Sequence, residues 1–261
     1  MTTEDIIIHI FYHVDNGLGQ VAKDPCEKLY PSEVVTIGIL FALKSGRFRA
    51  FYRWLNRDFA ALFGGLPDRT TLMRQMRDYQ HLTDHPLAQP SVLNVVDSYP
   101  IELIFPIRAG RTKHQVGTKS RDKGRWSVGV KLCWILNRFG QVCGWTWDKM
   151  NCPDQCFLEF LEEYDQQAII LADWGFRSAN GVPDPVKLCK KGTWNDRMMV
   201  ETSFSLLTVV CHAKKIYHRV EAYIEARLAY TVAMFNICLK LFHDLHPLES
   251  AFKMSIAEFS L

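Results

Sequence analysis

The chain has 261 residues, a formal net charge of +3, a hydrophobic fraction of 48% and a charged fraction of 23%. These values are typical of a globular protein with one large or two small domains, and they exclude a low-complexity chain. The longest apolar run, residues 34–43, is too short to cross a bilayer, and the N-terminal residues lack the basic start of a secretory signal. We therefore expect a cytoplasmic protein with no membrane span, in which all eight cysteines are reduced thiols.

Residues 1–88 carry the pattern of several short helices. Apolar residues recur at helical spacing in segments that Gly or Pro turns separate, namely residues 5–14, 31–45, 47–63 and 69–79. The last of these helices carries Arg69, Arg74, Gln75 and Arg77. We expect a DNA-binding region, and two interpretations stay open: a helix-turn-helix, or a plain helical bundle with a solvated basic face.

The pattern changes after a linker that contains Pro86 and Pro90. Strands are predicted over residues 93–97, 126–136, 141–147 and 168–173, and helices over residues 154–164, 196–211 and 221–245. This order predicts an α/β sheet flanked by helices, in a second domain that covers residues 91–261. The last helix is apolar on several sides, so we expect it to pack on the sheet or on a second subunit.

Three carboxylates stand in positions typical of a metal site. Asp97 and Asp173 each end a predicted strand, and Glu201 lies on the helix predicted over residues 196–211. Strand ends hold side chains rigidly beside loops that admit a substrate. Carboxylates are the hard ligands that Mg²⁺ prefers, and two such ions about 4 Å apart can clamp an in-line displacement at phosphorus. A single Asp at a strand end is more often a turn residue or a helix cap, so the prediction depends on the combination.

Positive charge accompanies these acids in two places. Arg197 precedes Glu201 by one helical turn, either as a surface ion pair or as a contact to substrate phosphate beside a metal-bound Glu201. A basic stretch comprises Arg108, Arg111, Lys113, Lys119, Arg121, Lys123, Arg125 and Lys131, with Asp122 as its one acid. A solvated loop is the usual interpretation of an isolated basic run, but this run follows the candidate metal ligand Asp97, which favours contact with a DNA backbone.

Three sequence blocks together resemble the DDE transposases of small bacterial insertion sequences. The blocks are Asp97-Ser98-Tyr99-Pro100, Asp173-Trp174-Gly175-Phe176 and Trp194-x2-Arg197-x3-Glu201-x2-Phe204. They look like that family's Asp-Ser-aromatic-Pro, Asp-x-Gly-aromatic and aromatic-x2-Arg-x3-Glu motifs, in the same order and at compatible spacing. The resemblance covers about residues 65–240, and the third block is its most specific part.

The resemblance implies an RNase H-like fold, with Asp97 on the first strand of a mixed sheet, Asp173 on the fourth and Glu201 on a following helix. It implies that Asp97 and Asp173 share two Mg²⁺ ions, for which Mn²⁺ can substitute, and that Glu201 holds one of them. The implied reaction cleaves and joins double-stranded DNA at the element's terminal inverted repeats and at a target, with a homodimer in the synaptic complex. Two rival interpretations are a catalytically silent DNA-binding relative and an RNase H-like nuclease that joins no strands.

The chain departs from that family at two points. A lysine that helps to hold the terminal phosphate often follows the Glu by seven residues, whereas this chain has Thr208. Two alternatives stay open: Lys214, Lys215 or the basic stretch substitutes for the lysine, or the ends are bound differently. The interval of 28 residues between Asp173 and Glu201 leaves no room for the β-rich insertion of some relatives. Second-strand cleavage without a hairpin intermediate is therefore an alternative route.

Other polar residues in the second domain are interpreted as structural. Cys152 and Cys156 lack a second pair with zinc spacing, so we interpret them as thiols that bind no metal. Asp122, Asp148 and Asp154 are interpreted as turn, strand-end and cap residues.

Overall fold

The structure, a computed structural model, describes residues 1–122, 124–164, 168–189, 198–209, 213–259 and 261. The chain divides into two compact units. A helical unit contains Met1–Leu87, Val209–Ala213 and Val220–Leu261, and a sheet unit contains Ala88–Thr208 and Lys214–Arg219. The sequence predicted that the C-terminal helices belong with the second domain, whereas the structure groups residues 220–261 with the N-terminal helices.

The described residues of the helical unit form five α-helices. They are α1 (Thr3–Leu18), α2 (Pro31–Lys44), α3 (Phe48–Asp58), α4 (Arg69–Asp78) and α7 (Glu221–Leu245). The long helix α7 contacts α1, α2 and α4, and it buries residues around most of its circumference. Its Tyr230 ring fills the space that a side chain at Gly38 would need, and the Tyr230 hydroxyl donates to the Met76 carbonyl at 2.8 Å. Its apolar surface is therefore covered within this unit.

The basic residues predicted on α4 differ in their exposure. Arg69 and Arg74 are exposed, whereas Gln75 is buried and Arg77 forms an ion pair with Asp78 at 2.6 Å. Only part of the predicted basic face therefore lies at the surface of this unit. The DNA-binding role of the region stays a prediction.

The described residues of the sheet unit form six strands and two α-helices. They are β1 (Leu93–Ile104), β2 (Thr118–Asp122), β3 (Arg125–Asn137), β4 (Val142–Lys149), α5 (Leu158–Glu162), β5 (Ile169–Ala172), β6 (Val186–Leu188) and α6 (Met198–Val209). The strand order is β2-β3-β1-β5-β6, and β4 also pairs with β3. Strands β1, β5 and β6 are parallel to one another, whereas β3 is antiparallel to β1. The predicted α/β architecture, a mixed sheet flanked by helices after a helical N-terminal region, is confirmed.

The two helices of this unit cover opposite faces of the sheet. Side chains of β1 alternate, so Val96 lies on one face and Asp97 on the other. Leu158 and Leu161 of α5 pack in the core that contains Val96. The Phe204 ring of α6 stacks on the Trp134 ring, and Trp134 pairs with Asp97 in the β1–β3 register. Helix α6 therefore covers the face that carries Asp97.

Three predictions of local structure need correction. β1 continues past Asp97 to Ile104, because the apolar alternation persists and β3 provides an antiparallel partner along this length. The basic stretch contains a strand, β2, that the sequence analysis did not predict. Cys152 and Cys156 are joined by a disulfide, so the expectation that all cysteines are reduced is wrong for this pair.

Candidate active site

The candidate site lies at an opening along one edge of β1. One edge of β1 pairs with β3 from Asn94 to Ile104. The opposite edge of β1 pairs with β5 only over Leu93–Val95. Further along, the Glu102 N–H and carbonyl form two hydrogen bonds of 2.8 Å with the segment 214–216. Between these two partners, no strand in the described part of the chain pairs with this edge.

The backbone groups of Ser98 and Pro100 in β1 face this opening. The backbone groups of Val92 and Glu102 face this edge, and strand alternation turns those of Ser98 and Pro100 the same way. Pro100 has no N–H, so it leaves no unsatisfied donor in the opening. The Ser98 N–H donates to Asp97 Oδ1 at 2.7 Å. The Asp97 carboxylate therefore lies at the open edge.

Asp173 reaches the same opening from the neighbouring strand. Val95 of β1 pairs with Leu171 of β5, and two further residues along each parallel strand lead to Asp97 and Asp173. β5 ends at Ala172, and the Asp173 carboxylate then caps the next turn by accepting from the Gly175 N–H at 2.7 Å. The two acids thus occupy equivalent positions at the point where the parallel pairing stops.

Glu201 is carried by the helix that covers this face. Phe204 of α6 stacks on Trp134 and Tyr99, with ring centroids 4.8 Å and 5.0 Å apart, and the Thr208 hydroxyl is hydrogen-bonded to the Tyr99 hydroxyl. Glu201 lies on the same helical face as Phe204 and Thr208, because the three recur at i, i+3 and i+7. Glu201 is exposed, and it lies one helical turn before Phe204, whose ring stacks on the register partner of Asp97.

The donor set of these acids fits Mg²⁺. All three donors are carboxylates, and Mg²⁺ takes one or two protein carboxylates while it keeps several waters. Within the described residues, the ligand oxygens of Asp97, Asp173 and Glu201 do not all lie within 4.8 Å of one another. The three acids therefore do not form a closed ligand group in this conformation.

A fourth carboxylate, Asp154, belongs to this cluster, although the sequence indicated only a cap residue. A Cβ atom added at Gly175 would stand 2.5 Å from Asp154 Oδ2 and 2.9 Å from Asp173 Oδ1, so the two carboxylates are close neighbours. Asp154 Oδ1 also accepts from Ser98 Oγ at 2.6 Å and from Lys131 Nζ at 3.0 Å. Asp154 therefore joins the strand that carries Asp97 to the turn that carries Asp173. Sequence spacing offers no signal for this contact.

The carboxylates of Asp97 and Asp154 also affect the pKa of the buried Cys133 thiol. Burial raises the pKa of this thiol well above its usual range, and the carboxylates of Asp97 and Asp154 raise it further. Lys131 opposes this effect on the pKa. The cluster thus carries excess negative charge, which a cation would neutralise.

A basic groove of about 410 Å³ begins beside Asp154. It is lined by Ser98, Pro100, Glu102, Ser120, Arg121, Arg125, Ser127, Lys131, Met150 and Lys214. Four of these side chains are cationic, and the one acid, Glu102, is paired with Arg125 at 3.5 Å. By strand alternation, Ser98, Pro100 and Lys131 lie on the face of the sheet opposite to Asp97, so the groove meets the acids only at Asp154.

The other predicted phosphate contacts lie elsewhere on the sheet unit. Arg108 and Arg111 line a cavity of about 190 Å³, together with Arg219 and an apolar wall. Lys119 lies over the exposed ring of Trp126, 4.6 Å from its centroid, and Arg121 of the basic groove lies 5.8 Å from the same centroid. Lys113 is exposed, whereas Lys123 and Arg197 lie outside the described residues.

Thr208, at the position of the family lysine, faces the sheet. Its hydroxyl donates to the Phe204 carbonyl at 2.7 Å and contacts the Tyr99 hydroxyl. Lys215 lies over the Phe105 ring, 3.1 Å from its centroid, whereas Lys214 lines the basic groove. Lys214 thus shares the groove with Arg121, Arg125 and Lys131 of the basic stretch, whereas Lys215 does not line it.

Comparison with known proteins adds no identification to this geometry. No protein-family model matches the chain, and no curated protein matches it. None of the helices in the described ranges combines the length and apolar character that crossing a membrane requires. The chemistry of the site is therefore inferred from its own residues.

Proposed function

We propose that the chain is a DDE transposase of an insertion sequence. It uses Mg²⁺ to cleave DNA at the element's terminal inverted repeats and to join the ends to a target. The observation that carries this proposal is that Asp97 and Asp173 occupy equivalent positions beyond the parallel pairing of β1 and β5, on a sheet whose Asp97 face is covered by the helix of Glu201. Because two ends must be held together, we propose a homodimer as the form that acts on double-stranded DNA.

The strand order supports an RNase H-like assignment of the sheet unit. When the hairpin strand β2 is left aside, Asp97 lies on the first strand and Asp173 directly follows the fourth. Glu201 lies on the helix that comes next in the chain after the last strand. This is the arrangement that the sequence resemblance implies.

Each acid has a separate role in this proposal. When bound, Mg²⁺, or Mn²⁺ in its stead, activates the attacking oxygen and stabilises the leaving oxygen. Asp97 and Asp173 hold the cations at the end of the rigid parallel pair, and Glu201 completes one binding site from α6. Arg197 contacts the adjoining phosphate, and Asp154 fixes the separation of the two strand-borne acids through Ser98 and Lys131.

The basic groove is proposed to hold the DNA backbone. The double substitution of Arg121 and Arg125 by alanine is expected to reduce the slope of log affinity against log salt by about 2, because each phosphate contact contributes about 0.9. Fluorescence anisotropy with a labelled duplex at several salt concentrations measures this slope. The matched control is Arg138→Ala, an exposed arginine beyond the other end of β3. An unchanged slope in the double variant would remove the groove from the DNA path.

Gly175 offers a test of the spacing between the carboxylates. Gly175→Ala is expected to lower the rate of DNA cleavage by about 10²-fold, because the new methyl group displaces Asp154 or Asp173. The free energy of unfolding should change by no more than about 1–2 kcal/mol, since both acids are short surface-accessible side chains. Cleavage kinetics and urea unfolding measure the two effects. Gly17→Ala, where the added atom meets open space, is the control; equal cleavage by both variants would contradict the proposed spacing.

A strand-transfer assay tests the proposed function against its rivals. The purified chain is incubated with Mg²⁺, the DNA that flanks its coding region and a supercoiled target plasmid. Joined products support a transposase, whereas cleavage without joining indicates an RNase H-like nuclease. Binding with neither reaction indicates a catalytically silent relative.

A further inference from the structure

A second cluster of metal-ligating groups lies outside the three candidate catalytic acids. One ligand atom each from Asp148, Cys152 and Cys156 lies within 4.8 Å of the other two, and no other such group of three occurs among the described residues. In the structure the two sulfur atoms are joined as a disulfide. We propose that, in the reduced chain, these three side chains bind one thiophilic divalent cation such as Zn²⁺. Disulfide and metal site are then alternative states of the same cysteine pair.

The backbone around the cluster is held in position before any cation binds. Asp148 is the second-last residue of β4 and pairs with Lys131 in the β3–β4 register. The Cys152 N–H donates to the Lys149 carbonyl at 2.9 Å, and the Cys156 N–H donates to the Pro153 carbonyl at 3.0 Å. Because these bonds fix the backbone, cation binding needs mainly a rotation of the two side chains.

The donor types select a different cation from that of the carboxylate cluster. Two thiolates and one carboxylate suit Zn²⁺, with water as a fourth ligand, whereas Mg²⁺ prefers oxygen alone. Asp148 retains one oxygen for this role, because only Oδ1 accepts the Lys149 N–H, at 2.6 Å. We therefore expect Zn²⁺ and Mg²⁺ to bind at separate places on the chain.

The two states are connected by ordinary thiol chemistry. A dithiol reductant supplies two electrons and two protons, so the S–S bond breaks, two thiols form and the reductant becomes a disulfide. Binding of the cation then releases the two thiol protons. An oxidised chain has no thiolate to offer at this site and should bind no thiophilic cation there.

The location links this site to the candidate active site. Asp154 lies between the two cysteines in sequence, and Lys131 Nζ donates both to Asp154 and to the Cys152 carbonyl, the latter at 2.7 Å. A cation would thus anchor the end of β4 to the segment that carries Asp154. The proposed metal site does not require that the chain be a transposase.

Cobalt absorption tests the proposal with the full chain. The chain is reduced, freed of reductant without oxygen and titrated with Co²⁺, and a thiolate-to-cobalt charge-transfer band should saturate at one ion per chain. Cys156→Ser should abolish the band and Asp148→Asn should weaken Co²⁺ binding at least about tenfold. Cys26→Ser, which removes another exposed cysteine, should leave the band unchanged. Absence of the band, or its survival in Cys156→Ser, overturns the proposal.

A second measurement uses only the unmodified chain. Zn²⁺ should slow alkylation of Cys152 and Cys156 at least about tenfold, as peptide mass mapping records, whereas Cys26 should react at the same rate with or without Zn²⁺. Equal protection of Cys26, or no protection of the pair, counts against the site. This measurement remains valid if a variant fails to fold.

Discussion

Replacing Asp97 or Asp173 by asparagine is expected to lower the rate of Mg²⁺-dependent DNA cleavage by at least about 10³-fold, which corresponds to about 4 kcal/mol of transition-state stabilisation. Asparagine keeps the size of the side chain and one oxygen acceptor. The hydrogen bonds from the Ser98 N–H and the Gly175 N–H can therefore persist in the variants. What is lost is the negative charge that holds the cation.

The same variants should separate a metal-binding role from a structural one. Without metal, removal of one charge relieves repulsion within the cluster, so the free energy of unfolding should stay the same or rise. Addition of Mg²⁺ should raise the melting temperature of the unmodified chain more than that of either variant, because a ligand stabilises only the state that binds it.

Thermal unfolding with and without Mg²⁺, together with cleavage kinetics, measures both effects. Asp184→Asn, an exposed acid in the same unit, is the matched control and should behave as the unmodified chain. Cleavage that survives in Asp97→Asn, Asp173→Asn or Glu201→Gln would show that the active site has been assigned to the wrong residues.

The sequence predicts that Asp97 and Asp173 each follow a short apolar strand, because local patterns are enough to show this. Each acid follows a short apolar strand, and parallel strands bring such positions to the same end of a sheet. The continuation of β1 beyond Asp97 is less apparent from sequence, because Pro100 argues against a strand. The open edge explains why proline is accepted: its missing N–H faces no partner strand there.

Contacts between distant segments account for what sequence reasoning missed. Asp154 is 56 residues from Ser98, and neither residue carries a local sign of the other. Asp148 joins Cys152 and Cys156 only because β4 ends beside the turn that bears them. Likewise, the apolar surface of α7 indicates burial but does not identify what buries it. Such contacts depend on tertiary packing, which hydrophobic periodicity does not specify.

Phe204 is expected to couple the stability of α6 to the activity of Glu201. Its side chain is 6% exposed and stacks on Trp134 with an interplanar angle of 7°. Phe204→Ala should therefore reduce the free energy of unfolding of the sheet unit by about 3–5 kcal/mol, from lost burial and the cavity left behind. Because Phe204 docks α6 on the sheet, Glu201 should then lose its fixed position one turn earlier.

Because Glu201 itself is unchanged in Phe204→Ala, the variant distinguishes positioning from chemistry. Cleavage should fall at least about 10²-fold at a temperature where the variant is still folded, and limited proteolysis should cut within α6 more rapidly. Phe204→Leu is the matched control, because it keeps most of the apolar volume and should cost less than about 1.5 kcal/mol. Urea unfolding monitored by tryptophan fluorescence, together with cleavage kinetics, tests both variants. If Phe204→Ala cleaves DNA as fast as Phe204→Leu, docking of α6 through this ring does not position Glu201. The site would then depend on Asp97 and Asp173 alone.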